Sequence, residues 1–139
     1  MAVRYFSLIF GIVYILIGLM GFIPAILAAP QADTPNVTVN TLYGFLFGIF
    51  AVNLIHSLVH LLAGIWGVIA YRSFDASRTF AKASSILFGL LAVMGLIPGL
   101  NTFFGLIPLF GHDIWLHALS AVIAGYFGFV YRPTQPVVQ

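Results

Sequence analysis

The sequence predicts an all-α membrane protein: a four-transmembrane-helix bundle in which two pseudo-two-fold-related hairpins make one domain over residues 1–139. Three observations carry this expectation. The first is composition: 62% of the 139 residues are hydrophobic and 6% are charged, with a mean hydropathy of +1.12. A soluble domain is about 45–50% apolar and about 25% charged. So few charges cannot clothe a water-soluble surface, which excludes a soluble globular domain, a disordered chain and a soluble coiled coil. The second is four long apolar stretches, since about 20 apolar residues cross a hydrocarbon core of about 30 Å. The third is an internal repeat. The absence of cysteine removes a disulfide scaffold and any Cys-ligated metal or iron–sulfur site.

The spans are expected at about 5–29, 43–71, 83–97 and 114–131. They are continuously apolar rather than alternating, so a β-barrel is not expected. The first could be mistaken for a secretory signal, because Arg4 precedes it and Ala28-Ala29 follows. Its apolar core is too long for one and Pro30 sits at the cleavage position, so it reads as a retained anchor. Arg4, Arg72, Arg78, Lys82 and Arg132 all fall on one side of this topology. The positive-inside rule then places both termini and the 72–82 loop in the cytoplasm. The isoelectric point of 9.2 reports this topology, and no clustered basic surface for a nucleic acid is present.

Two segments face outward. Pro30–Asn40 is polar and reads as a solvated loop; its Asn36-Val37-Thr38 matches a glycosylation sequon, a pattern common by chance. Pro98–Gly111 is mostly apolar and is expected to fold back on the outer surface or to lie in the interface. The tail after Arg132 carries Pro133 and Pro136 and is expected to be loose.

The repeat pairs Gly18–Pro24 with Ala92–Pro98, and Ile55-His56-Ser57-Leu58 with Leu116-His117-Ala118-Leu119. Ala63-Gly64 and Gly67 recur as Ala124-Gly125 and Gly128. Two hairpins of the same orientation would be related by an axis along the membrane normal. At about 1.5 Å per residue, His56 and His117 then lie level, roughly 22–24 Å above the inner boundary.

Asn53, His56, His60, Gly64 and Gly67 fall on one helical stripe. Ionisable side chains within a span face the interior, and small residues let helices approach, so polar stripe and packing seam coincide. Two chemistries are open. His56 and His117 could ligate a haem or chlorophyll axially, with Gly64 and Gly125 making room for the ring. Alternatively His56, His60, His117 and Asp113 could hold a divalent metal. The bland reading is that neutral imidazoles simply bond within the bundle and order it. Asp113 has a bland role as the N-cap of the last helix, His112 is expected in the interface, and Asn53 and Asn101 are structural polar residues. Ser84 and Ser85 are expected to bond back within their own helix. No carboxylate lies deep in a span, so a carboxylate-driven proton-coupled transporter is disfavoured; there is no nucleophile–base spacing, no phosphate-binding loop and no soluble catalytic domain, so an enzyme is not the leading expectation.

At Asn53-Leu54-Ile55-His56-Ser57-Leu58-Val59-His60-Leu61-Leu62-Ala63-Gly64 the chain resembles the DUF4383 family of small four-helix bacterial membrane proteins. A second match is Leu106-Ile107-Pro108-Leu109 followed by Asp113-Ile114-Trp115-Leu116-His117. The family's Asn-x-x-His and Asp-x-x-x-His fall on Asn53, His56, Asp113 and His117; His60 is not assumed to be shared. The resemblance covers about residues 4–131 and implies a bacterial plasma-membrane or thylakoid protein, with no activity to carry over. The leading expectation is a small non-enzymatic membrane protein whose outer-leaflet histidines order the bundle and can bind a metal or cofactor. A haem- or pigment-binding redox subunit and an oligomeric small-solute transporter are the alternatives. The lipid bilayer is the expected partner, with a homo-oligomer or larger membrane complex beside it.

Overall fold

A computed structural model describes residues 1–132; the expectation for the tail at Pro133 and Pro136 lies outside them. The chain is mostly helical. Helix α1 spans Ala2–Met20, α2 Leu54–Ala70, α3 Phe74–Gly95 and α4 His112–Gly125, the last running on as a π-helical turn over Tyr126–Val130. Two of these, Ala2–Met20 and His112–Val130, are long and apolar enough to cross a membrane. α2 is a shorter apolar helix of 17 residues, about 26 Å long.

The chain is not all-α. Strands β1 (Leu27–Ala28), β2 (Gly44–Leu46) and β3 (Phe50–Val52) form an antiparallel sheet in the order β1-β2-β3. These strands lie in what the hydropathy assigns to the end of the first span and the start of the second. The helix ends at Met20, and Pro24 opens a short 3-10 turn instead of continuing it. The turn between β2 and β3 holds Phe47 at φ 54° and Gly48 at φ 75°, a conformation that no α-helix continues. An apolar run bounded by such signals does not reveal its period, which is why hydropathy alone extends both helices too far.

The third helix also differs from expectation, in the opposite sense. It starts at Phe74, so the charged 72–82 segment is mostly helix rather than loop. Ser73 sets that start: its Oγ accepts the Ala76 N–H at 3.1 Å, the capping bond that orphan first-turn donors require. Ser85 does not bond back within α3; it donates to the Ala121 carbonyl of α4 at 2.9 Å.

α1 packs chiefly on α2 and α3 chiefly on α4, with α1 also touching α3. The α1–α2 seam is built on glycine. A Cβ on Gly64 would lie 2.6 Å from the Ile15 nitrogen and 2.7 Å from the Gly11 oxygen. A Cβ on Gly11 would meet the Gly64 oxygen at 2.7 Å. The two backbones therefore touch, and neither position has space for a side chain.

At one end of the helices an aromatic and small-residue core gathers Val3, Phe6, Ala70, Phe80, Ala81 and Ala124. Ser7 and Ser77 share a hydroxyl–hydroxyl bond of 2.9 Å, and Ser77 donates to the Ala70 carbonyl at 2.8 Å. Cations finish this end. The Arg4 Nε donates to the Tyr71 carbonyl at 2.7 Å, and the Arg78 Nε donates to the Gly128 carbonyl at 3.0 Å. Both carbonyls belong to helix C-termini, where cations satisfy orphan acceptors and oppose the negative dipole end. The sheet occupies the opposite end, with the 96–111 segment beside it.

The seam generates a direct test. Gly64→Val should destabilise the protein by about 1–3 kcal/mol through overpacking, read as a lower thermal midpoint in detergent. Gly89→Ala should be neutral, because its Cβ would meet only the Ala121 Cβ at 3.8 Å. Equal midpoints for the two variants would contradict the seam.

Candidate functional site

The stripe expected on the second helix is present and entirely buried: Asn53, His56, His60, Gly64 and Gly67 all face inward. Asn53 is the residue that positions it. The Asn53 Oδ1 accepts the His56 N–H at 2.9 Å and caps α2. The Nδ2 of the same amide donates to the Val39 carbonyl at 2.9 Å and the Leu106 carbonyl at 2.7 Å. One carboxamide thus joins the helix start to both connecting segments at the sheet end. Those segments also bond each other, with Thr38 N–H donating to the Gly105 carbonyl at 2.8 Å. A general clue to the cap was available in the sequence, because Asn ahead of an apolar helical run is a start signal. The two long-range bonds had no local signature.

Three histidines meet. One ligand nitrogen from each of His56, His60 and His117 lies within 4.8 Å of the other two, and all three residues are buried. The His56 and His60 rings are 4.4 Å apart between centroids, as their one-turn spacing on α2 dictates; His56 and His117 are 6.0 Å apart. α4 therefore brings the third imidazole across from a separate part of the chain.

The local partners fix these rings. The His56 Nδ1 lies 3.1 Å from the Ala51 carbonyl. A carbonyl only accepts, so Nδ1 carries the proton and the Nε2 lone pair is left free. The His60 ring packs edge-on to Tyr14 at 5.2 Å, and the His117 ring stacks on Phe88 at 5.6 Å. Tyr14 is held in turn by a 2.9 Å hydroxyl–hydroxyl bond to Ser120. The Nδ1 atoms of His60 and His117 are buried without a hydrogen-bond partner. An unmade bond at a buried polar atom costs about 1–3 kcal/mol.

The remaining candidates fall elsewhere. Asp113 is buried in the first turn of α4 and does not belong to the group of close ligand atoms. It is not the N-cap either: Gly111 takes that position at φ 67°. The Asp113 Oδ2 has no partner. Asn101 acts through its backbone: its N–H donates to Ile97 and its carbonyl accepts from Leu109. His112 is exposed and accepts from the Trp115 indole N–H at 3.0 Å.

Gly64 and Gly125 do not open onto a ring. Gly64 is filled by the α1 backbone, and a Cβ on Gly125 would meet the Ser85 Oγ at 2.9 Å. Beside the histidines lies a cavity of about 240 Å³ bounded by α2, α3, α4 and the 103–109 segment.

A mostly helical protein with a buried three-histidine cluster is the class that fold and site define. Within that class the chain belongs to the DUF4383 family, described as a domain of unknown function, whose model matches residues 4–130. No curated protein and no solved structure matches the chain.

The junction at Asn53 makes a second prediction. Asn53→Ala should lose about 2–4 kcal/mol, from the cap and the carbonyls left unpaired. Limited proteolysis should then cut the 30–42 segment faster than in the parent protein. Asn53→Asp should retain the cap and still show faster cutting, since it keeps the acceptor and loses both donors.

Proposed function

We propose that this chain is a four-span membrane protein that binds one divalent transition-metal ion through His56, His60 and His117, and that the ion orders the end of the bundle facing out of the cytoplasm. The observation that carries the proposal is the triad itself: three buried imidazoles from two helices, with their ligand nitrogens within 4.8 Å of one another. Imidazole suits zinc, copper, iron and nickel. Nitrogens bound at about 2.0–2.1 Å in a tetrahedral site stand about 3.4 Å apart, so small ring rotations close the set. The carbonyl of Ala51 on His56 Nδ1 is the kind of outer contact that fixes a ligand's tautomer. The unpartnered Nδ1 atoms of His60 and His117 give metal binding something to repair.

Four spans are supported by what the helices leave uncovered. Large apolar side chains stand exposed on all four: Ile9 and Leu16 on α1, Leu62 and Ile69 on α2, Leu90 and Val93 on α3, Val122 and Phe129 on α4. Lipid is the solvent that such faces need. Arg4, Arg72, Arg78 and Lys82 gather at the end away from the sheet, which favours that end as the cytoplasmic one. The two-hairpin repeat draws support from the seams. The Gly11–Gly64 contact of the first pair corresponds in the repeat to Ser85–Gly125 in the second, and both are close.

The haem or pigment reading is less well supported. The cavity of about 240 Å³ falls below the roughly 300–1,000 Å³ of pockets that take drug-sized ligands, and His60 stands beside His56 where a macrocycle would have to lie.

Metal content of protein purified from its native membrane should approach one ion per chain by mass spectrometry. His60→Ala and His117→Ala should each lower it at least tenfold while helix content by circular dichroism is retained. A metal-free protein that also fails to bind added Zn(II) or Co(II) would overturn the assignment. Topology is tested separately, because the chain has no cysteine. A membrane-impermeant thiol reagent on intact cells should label Asp33→Cys and leave Asp75→Cys unlabelled.

A further inference from the structure

The cavity beside the triad has a chemistry of its own. Besides the histidines it is walled by Val59, Ala63, Leu87, Leu91, Phe103 and Ile107, and its surface is almost wholly carbon. The histidine nitrogens turn toward one another and contribute little to it. A water molecule needs two to four polar partners to be stable in such a space, and a charged ligand needs more. An apolar cavity of about 150 Å³ already stays dry and accepts benzene or xenon. At about 240 Å³ this one is larger.

The backbone of its wall is strained. Phe103 and Phe104 both adopt left-handed conformations, at φ 44° and 58°. Such conformations cost bulky L-residues free energy, and they cluster where a structure clamps a ligand. Here the strain has a visible result. Phe103 is turned into the cavity wall, while Phe104 stands 71% exposed. The segment cannot relax freely, because its Gly105 carbonyl is held by the N–H groups of Thr38 and Val39 and its Leu106 carbonyl by Asn53.

We infer that this cavity is a binding site for a small neutral apolar molecule, one the size of a single aromatic ring with a few carbons, seated between the histidine triad and Phe103. The site does not depend on a metal at the triad. Its walls come from α2 and α3 as much as from the histidines, and nothing in its shape needs an ion.

Toluene is a suitable probe. Full-length protein with protonated methyl groups in a deuterated background, in perdeuterated detergent, should show intermolecular NOEs from toluene to the Leu91, Ile107 and Leu109 methyls. These should saturate with toluene concentration, whereas NOEs to the exposed methyls of Leu62 and Val122 should only rise linearly. Ala63→Phe should abolish the saturable NOEs with no loss of thermal stability, because it fills a void. Should that variant fail to fold, Leu91→Phe serves the same purpose from α3. The inference is overturned if the NOEs reach only lipid-facing methyls, or if they survive a folded cavity-filling variant. Strong NOEs from protonated detergent chains to the same three methyls, undiminished by toluene, would assign the cavity to an acyl chain and equally overturn it. Repeating the titration on the parent protein after metal removal by a chelator separates this site from the metal site, since toluene binding should persist in the metal-free protein.

Discussion

The carboxamide of Asn53 is the constraint on which the sheet end of the molecule depends. It is fully buried, and its acceptor and both donor hydrogens are engaged with backbone. Through the acceptor it fixes where α2 begins, and hence the register of His56 and His60. Through the donors it ties the 30–42 and 98–110 segments to that same point. Backbone amides in an apolar setting have no water to fall back on, so each bond made here removes a desolvation cost that nothing else would offset. The cavity wall, the cap and the first two histidines share this one side chain as their anchor.

The two ends of the helices are held by different physics. Away from the sheet, an aromatic core, a serine pair and two arginines on helix C-termini make a well-satisfied lock. Near the sheet, polar atoms are left over. Ser57 Oγ, His60 Nδ1, His117 Nδ1 and Asp113 Oδ2 are all buried without partners. Glycine seams bring backbones together along the middle. A protein selected only for stability would be expected to satisfy or remove such atoms. Their concentration at this end is what makes it the candidate functional end.

Much of this was legible in the residues. The stripe from Asn53 to Gly67 follows from helical spacing, and it is buried as that spacing requires. Matched distances to Arg72 and Arg132 put His56 and His117 at corresponding positions of their helices, and the two rings lie 6.0 Å apart. The strands were not legible. Leu27–Ala28 and Phe45–Val52 are as apolar as a helix of the same region, and a short apolar run carries no period to distinguish them. The role of Ser73 was hidden for the opposite reason: the charges of Asp75, Arg78 and Lys82 suggest a loop, while a capping hydroxyl needs only one residue to start a helix.

By itself the sequence determined the apolar character of the chain, the few places where its charges fall and the helix face on which His56 and His60 lie. Each of these is a local or additive property: apolar content sums along the chain, and helical spacing fixes a face within a few turns. Only the tertiary structure decided that Gly64 and Gly125 are closed by neighbouring atoms, that Asp113 stands apart from the triad, and that Ser85 and Tyr14 reach across to α4. Those outcomes depend on distances between residues far apart in the chain. Such distances are set by how backbones and side-chain volumes fit together, and no sum along the sequence contains them.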